Sequence, residues 1–238
     1  MHRASIRGDQ DTIVQLLANQ QLLPEVNCRD EDGHTALHYA VMNGHDRIVL
    51  LLLADPRVDV NCRDKHGATP LSLTMAAAAD VCSQTDQTDH NRVVQILLAD
   101  QRVEINATDK HGYTPLHGAA AFCHPSLVQL LLEDQRVDVN CRTYQHLTGN
   151  PRGELYEGAS PLHLAAQYNR AEVVKLLLAD PRTEVNCKNK NGHSPLMHHV
   201  TTALVEKSIP TLRLLLNHPS VDLNTTDKEG RGVKEVAR

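Results

Sequence analysis

The chain is 238 residues long and carries 29 acidic against 24 basic side chains, a net charge of −5. That balance offers no broad basic face to a phosphate backbone and argues against nucleic acid as a main partner. The longest apolar run, Ile48 to Ala54, is far short of the roughly 20 residues of a membrane span, and no signal peptide opens the chain; the expected location is the cytoplasm, with the nucleus or a host cytosol as alternatives.

Two phrases alternate along the chain and mark its predicted elements. Residues 1–28 read as a partial repeat, with Arg7-Gly8-Asp9 and a helix over Ile13-Val14-Gln15-Leu16-Leu17. In the repeat 29–62, Asp32-Gly33-His34-Thr35-Ala36-Leu37-His38 opens a short helix. The run Ile48 to Leu53 forms a second helix, and Asp55-Pro56-Arg57-Val58-Asp59-Val60-Asn61 turns the chain back. The repeat 63–107 opens on His66-Gly67-Ala68-Thr69-Pro70-Leu71, and 108–141 on His111-Gly112-Tyr113-Thr114-Pro115-Leu116-His117. The repeat 142–187 opens on Gly158-Ala159-Ser160-Pro161-Leu162-His163 and 188–225 on Gly192-His193-Ser194-Pro195-Leu196; residues 226–238, with Gly230, form a partial terminal cap. Gly33 to Asn61, Gly112 to Asn140 and Gly158 to Asn186 are each 28 residues apart, and Asn to the next Gly is six in five of six cases, so the undisturbed period is 34.

Local chemistry explains each element. Thr69 or Ser160 before proline and an apolar run is an N-cap with proline at the first helical position, where a missing N–H costs nothing. The second helix, such as Val173-Val174-Lys175-Leu176-Leu177-Leu178, is too apolar around its circumference for a surface helix and must lie between neighbours. Asp55-Pro56 and Asp180-Pro181 stop it, because a residue before proline avoids the helical region. Asn, Asp, Lys and Gly then make the turn, with Gly67 or Gly112 free to take positive φ.

With these phrases the chain resembles the ankyrin-repeat family over nearly its whole length, and the period is close to that family's roughly 33 residues. The resemblance implies an all-α solenoid of helix-turn-helix units joined by β-hairpin-like loops, one domain over 1–238, a non-enzymatic role in binding a protein or peptide, and a monomer without cofactor or metal. One departure is shared by the units: Asp-Pro-Arg or Asp-Gln-Arg replaces the usual Gly-Ala, an extra residue expected only to lengthen a turn. Lys234 stands where the family places a core leucine, as suits a water-facing cap. His38, His117 and His163 take the family's Thr-Pro-Leu-His position, where the imidazole bonds turn backbone of a neighbouring repeat. The repeat asparagine is expected to be tied into its own turn, so the sequons at Asn106 and Asn224 are not expected to be glycosylated. The family also includes targets of asparaginyl hydroxylation, which makes Asn61 and Asn140 candidate modification sites.

Enzymatic readings find little support. Cys28, Cys62, Cys141 and Cys187 follow the repeat asparagine about one repeat, near 10 Å, apart, beyond the roughly 7 Å a disulfide allows. They read as small-residue filler. Cys123-His124 are adjacent and rarely could face each other as nucleophile and base. His34 and His38 lack the glutamate of His-Glu-x-x-His, and no Walker loop, Gly-x-Gly-x-x-Gly, Gly-x-Ser-x-Gly or Cys-x-x-Cys occurs. His193, His198 and His199 form the densest histidine group, with His199 replacing a small packed residue; a loosened repeat or a partner contact is the expectation there.

Function is expected where repeats differ. Gly67 to Asn106 spans 39 residues, the extra ones forming a polar, acidic loop about Ala79 to His90; Asn140 to Gly158 spans 18, the extra ones enlarging a hairpin over about 143–155. Five of the six aromatics, Tyr113, Phe122, Tyr144, Tyr156 and Tyr168, fall within 113–168. Aromatics are over-represented among residues that carry binding energy. The expected contact surface comprises these five with His111, Arg152, Met42 and Asn43, using hairpin tips, groove and the long hairpin 143–156. The competing reading is an ankyrin segment of a larger protein, a pathogen effector or signalling protein, whose catalysis lies elsewhere.

Overall fold

The computed structural model describes residues 1–18, 26–78, 84–122, 124–144, 157–202 and 209–236, with 84–89 as backbone only. Among them are thirteen helices, and the one β pairing is an isolated antiparallel bridge between Thr226 and Gly232. The chain falls into two compact units, 1–110 and 111–238.

In the first unit, α1 (His2–Arg7), α3 (Ala36–Met42) and α5 (Pro70–Ala77) are the short opening helices, and α2 (Gln10–Ala18), α4 (Asp46–Ala54) and α6 (Gln84–Ala99) the apolar second ones. Each opening helix packs on its own second helix and on the next opening helix, and the second helices pack on one another in the same order. The second unit repeats this with α7 (Pro115–Phe122), α9 (Pro161–Gln167) and α11 (Pro195–Thr202) against α8 (Pro125–Glu133), α10 (Ala171–Ala179) and α12 (Ile209–Asn217), and a last turn, α13 (Val233–Val236), lies on α11.

The core follows the repeat. Leu37 and Leu71 in the first unit, and Leu116, Leu162 and Leu196 in the second, are buried from the opening helices. Val49 and Leu52, Val94 and Leu97, Val128 and Leu131, and Val174 and Leu177 are buried from the second helices. Burying one such side chain fully contributes about 1.5–3 kcal/mol. Small residues beside them, Ala40, Ala119, Ala165 and Ala166, are wholly buried and let the opening helices approach closely.

Polar side chains bind each repeat to the next. Asn27, Asn61, Asn140 and Asn186 donate their amides to the carbonyls of Arg57, Arg102, Arg182 and Ser220, at 2.9, 2.7, 2.8 and 2.6 Å. Their oxygens accept the N–H of Asp59, Glu104, Glu184 and Asp222, each at 2.8 Å. The repeat asparagine is therefore tied into the following repeat's turn, not its own as expected: its amide matches the spacing of the facing backbone like a short piece of β ladder.

The additional turn residue also has a purpose that its sequence did not disclose. Arg102 and Arg182 lie in a two-bond fork on Asp100 and Asp180 and reach back to the carbonyls of Leu53 and Leu132, both at 2.7 Å. These carbonyls belong to the last turn of α4 and α8, where an α-helix leaves acceptors without intrahelical partners. The arginine caps the preceding repeat's second helix. Asp180 is held below the usual carboxylate range by the Arg182 guanidinium. Arg182→Ala should cost about 1.5–3 kcal/mol, the range for hydrogen bonds to charged groups. Arg182→Lys should recover less than half of it in urea melts, because lysine lacks the planar fork. Recovery to the wild-type midpoint would disprove the cap. In the last repeat Ser220 occupies the arginine position.

Two sequence expectations shift. Residues 1–18 hold both helices of a repeat, α1 included, although α1 has no Thr-Pro-Leu opening. The expected acidic loop about 79–90 is helical from Gln84 onward, extending α6 to 16 residues. The enlarged hairpin keeps a regular stem: Thr143 N–H donates to the Ala159 carbonyl at 3.0 Å and Gly158 N–H to the Thr143 carbonyl at 2.7 Å. Residues 145–156 lie outside the described residues.

Candidate interaction surface

Each hairpin is built on one short polar side chain. Asp64 Oδ1 accepts the N–H of His66 and Ala68, both at 2.8 Å, and Asn189 Oδ1 accepts those of Asn191 and His193, both at 3.0 Å. Such closures are what short Asp and Asn side chains provide in turns. Successive tips are then linked through main chain: Lys65 N–H to the Asp32 carbonyl and Lys110 N–H to the His66 carbonyl in the first unit. In the second unit Tyr144 bonds His111, Lys190 bonds Glu157 and Lys228 bonds Asn191 in the same way.

The opening helices are held under these hairpins by a histidine column. Nδ1 of His38, His117 and His163 accepts the N–H of Thr35, Thr114 and Ser160, at 3.0, 3.2 and 3.2 Å. Nε2 then donates to the carbonyls of Ala68, Ala159 and His193, at 3.4, 3.1 and 2.9 Å. The structural role expected of these histidines is what the structure shows. Burial of His38, His117 and His163 pushes each imidazole down to about 4, so they are neutral at physiological pH. The cysteine column does more than fill space: Cys62 Sγ lies 3.3 Å from Thr35 Oγ1, and Cys187 Sγ donates to Ser160 Oγ at 3.4 Å. Burial raises the Cys62 thiol to about 11 and that of Cys141 to about 12, which keeps both protonated and poor nucleophiles. Cys123 lies outside the described residues.

The His193, His198 and His199 group is interior. His198 donates from Nε2 to Gln167 Oε1 at 2.8 Å, with Asn189 Nδ2 3.4 Å from its Nδ1, and His199 Nδ1 donates to the Ala166 carbonyl at 2.6 Å. Both are at most 1 % exposed, which corrects the expectation of a loosened repeat or partner contact: each ring finds an acceptor on α9. Among the described residues no three His, Cys, Asp or Glu side chains are arranged to hold a metal ion.

Among the described residues of 111–168, the exposed large apolar side chains are all aromatic. Phe122 ends α7 and Tyr168 caps α9, equivalent places on two helices that pack together; they are 46 % and 42 % exposed. Arg170, which precedes α10, donates to the Ala121 carbonyl at 2.8 Å and ties the two ends to each other. Tyr144 stands where Lys65, Lys190 and Lys228 stand in other hairpins and is 54 % exposed, its ring lying over Gly112. Tyr113 is half-buried, edge-on to His117 at 5.8 Å, and His111 is half-buried in the same hairpin. Met42 is half-buried and Asn43 exposed at the end of α3, in the other compact unit. Tyr156 and Arg152 lie outside the described residues. Asn61 and Asn140 are half-buried with both amide ends engaged, so a modifying enzyme would first have to open those bonds.

Family models described as "Ankyrin repeats (3 copies)" match residues 1–83 and 143–227, and one described as "Ankyrin repeats (many copies)" matches 73–132. The chain belongs to the ankyrin-repeat family. Among solved structures it is similar to the ankyrin repeat domain of Bcl-3, described as a unique member of the IkappaB protein family. That match has 24% identity and a TM-score of 0.79 and covers 100% of this chain and 92% of that one. It is also similar to EF0377, an ankyrin repeat protein, at 22% identity and a TM-score of 0.67, over 87% of this chain and 92% of that one. At such identities these two structures speak for the ankyrin fold alone. Ankyrin repeats are generally protein–protein interaction modules, and no described helix is long and apolar enough to cross a membrane.

Proposed function

We propose that this ankyrin-repeat protein is a non-enzymatic interaction module that engages a protein or peptide through the hairpin tips and opening-helix ends of residues 111–168. The observation that carries this reading is the exposure of Phe122, Tyr144 and Tyr168 in neighbouring repeats of one unit, while the apolar positions around them are spent on stacking. Large, stiff side chains on a preformed scaffold lose little entropy on binding. The described stem of the long hairpin, Thr143 and Tyr144 with Gly158 and Ala159, lies within the same stretch. A protein partner is favoured over nucleic acid because the net charge is −5 and several tip cations are already engaged. Lys65 pairs with Asp32, Lys190 lies 2.5 Å from Glu157, and Arg142 lies 3.3 Å from Glu184.

The test combines Phe122→Ala and Tyr168→Ala and follows partner recovery by quantitative mass spectrometry after pull-down. Recovery of specific partners should fall about tenfold or more, as for loss of binding residues worth over ~1.4 kcal/mol, with thermal stability little changed because both rings are exposed. Unchanged recovery beside a strong loss from a variant in α12 would refute this placement.

A further inference from the structure

The outer side of the second unit holds a groove of about 770 Å³ between α10 and α12. It is formed by second helices, so it shares no residue with the surface proposed above. Its origin is in the sequence: α10 lines it with the small Ala171 and Ala179 and with Leu178, and α12 begins with Ile209-Pro210 and adds Leu214. Ile209 is 55 % exposed, and the first position of the equivalent helices holds Asp46, Pro125 or Ala171. An isoleucine here leaves more than half of its surface as an apolar wall facing water.

The charges around the groove are one-sided. Lys175 and Arg213 occupy matching exposed positions on the two helices, and among the described residues neither has a carboxylate within ion-pair distance. At the far end the Ser220 N–H donates to His218 Nδ1 at 3.4 Å, which leaves the Nε2–H of that ring as an outward donor. The single carboxylate of the lining, Glu172, sits in the first turn of α10. An occupant must therefore bring apolar side chains for the floor and carboxylates for the half of the groove away from Glu172.

We propose that this groove is a second docking site, for an acidic amphipathic helix of a partner protein. Two neighbouring helices with an apolar seam between them accept a third through side chains at i, i+3, i+4 and i+7. Opposite charge on the rims selects the partner and sets its orientation.

The probe is a fluorescein-labelled synthetic helix with leucines at i, i+3, i+4 and i+7 flanked by glutamates, with a twin carrying lysines instead, read by fluorescence polarisation. The acidic peptide should bind about tenfold tighter than the basic one and weaken as salt rises. Lys175→Glu combined with Arg213→Glu should reverse the preference, and Ile209→Asp should weaken both peptides about tenfold without lowering the thermal midpoint. The Phe122→Ala and Tyr168→Ala variant should bind the acidic peptide as wild type does, which separates this site from the one above. Absence of binding, binding unaffected by Ile209→Asp, or sedimentation showing the groove closed by a second copy of the chain would overturn the proposal.

Discussion

Lowering the pH from about 7 to about 5 should destabilise the protein steeply, before its carboxylates begin to protonate. His38, His117, His163 and His198 are buried and neutral, with burial as the first cause in each; the first three are pushed to about 4 and His198 to about 3. Their folded values lie below the ordinary 6.5. Folding therefore favours the neutral ring, the full stabilisation is present above pH 6.5, and it is lost as pH falls toward 4. For one such histidine the limiting loss is about 3 kcal/mol, with about 2 kcal/mol gone by pH 5. Summed over the four, even with each protonation opposing its neighbour's, the loss is comparable to the ~5–15 kcal/mol that holds a typical protein folded. The aspartates paired with Arg57, Arg102, Arg136 and Arg182 have the opposite arrangement. Held below 3.8, they contribute above that value and are lost only beneath it. Urea melts at stepped pH should thus show most of the loss between 6.5 and 4. His198→Leu, which copies Leu164 of the preceding repeat, should move the acid midpoint lower. Stability that stays flat to pH 4 would remove the buried histidines from the account.

The second large effect is expected at Gly112. Its φ is +83°, and an added Cβ would stand 2.7 Å from both the Tyr144 backbone nitrogen and its ring. Gly112→Ala must move the stem of the long hairpin or break the bond from Tyr144 N–H to the His111 carbonyl. Gly230 supplies the control: φ is +78°, and nothing lies within 4 Å of its added Cβ. Gly230→Ala should cost only the left-handed backbone penalty of about 1–2 kcal/mol. Gly112→Ala should cost about 2–4 kcal/mol, because contact strain is added to the same penalty. Equal denaturation midpoints for the two variants would show that the hairpin yields without cost. If partner binding also falls in Gly112→Ala, the position of Tyr144 matters to recognition as well as to folding.

Much of this architecture was legible in the chain because the code is local and repeated. Thr or Ser before Pro-Leu opens a helix wherever it occurs, and the leucine-rich run after it can be satisfied only by a neighbour. The role of the histidine column is implied by the resemblance to the ankyrin-repeat family, through its Thr-Pro-Leu-His position. α1 escaped notice because six residues without that opening carry no periodic signal. The start of α6 is not legible because a polar stretch reads as loop when the apolar face is absent.

The sequence by itself determined the repeat, its register and the helices of each repeat apart from α1 and the start of α6, since these depend on residue type at fixed spacing. Only the tertiary structure decided what crosses from one repeat to the next. Asn61 and Asn140 bind the following turn, Arg102 and Arg182 cap the preceding helix, and His198 and His199 turn inward to α9. It also left Ile209 facing water. The physical reason is that a polar group's partner, and the exposure of a large side chain, depend on residues some 30 to 50 positions away, which stacking brings within reach and no local pattern encodes.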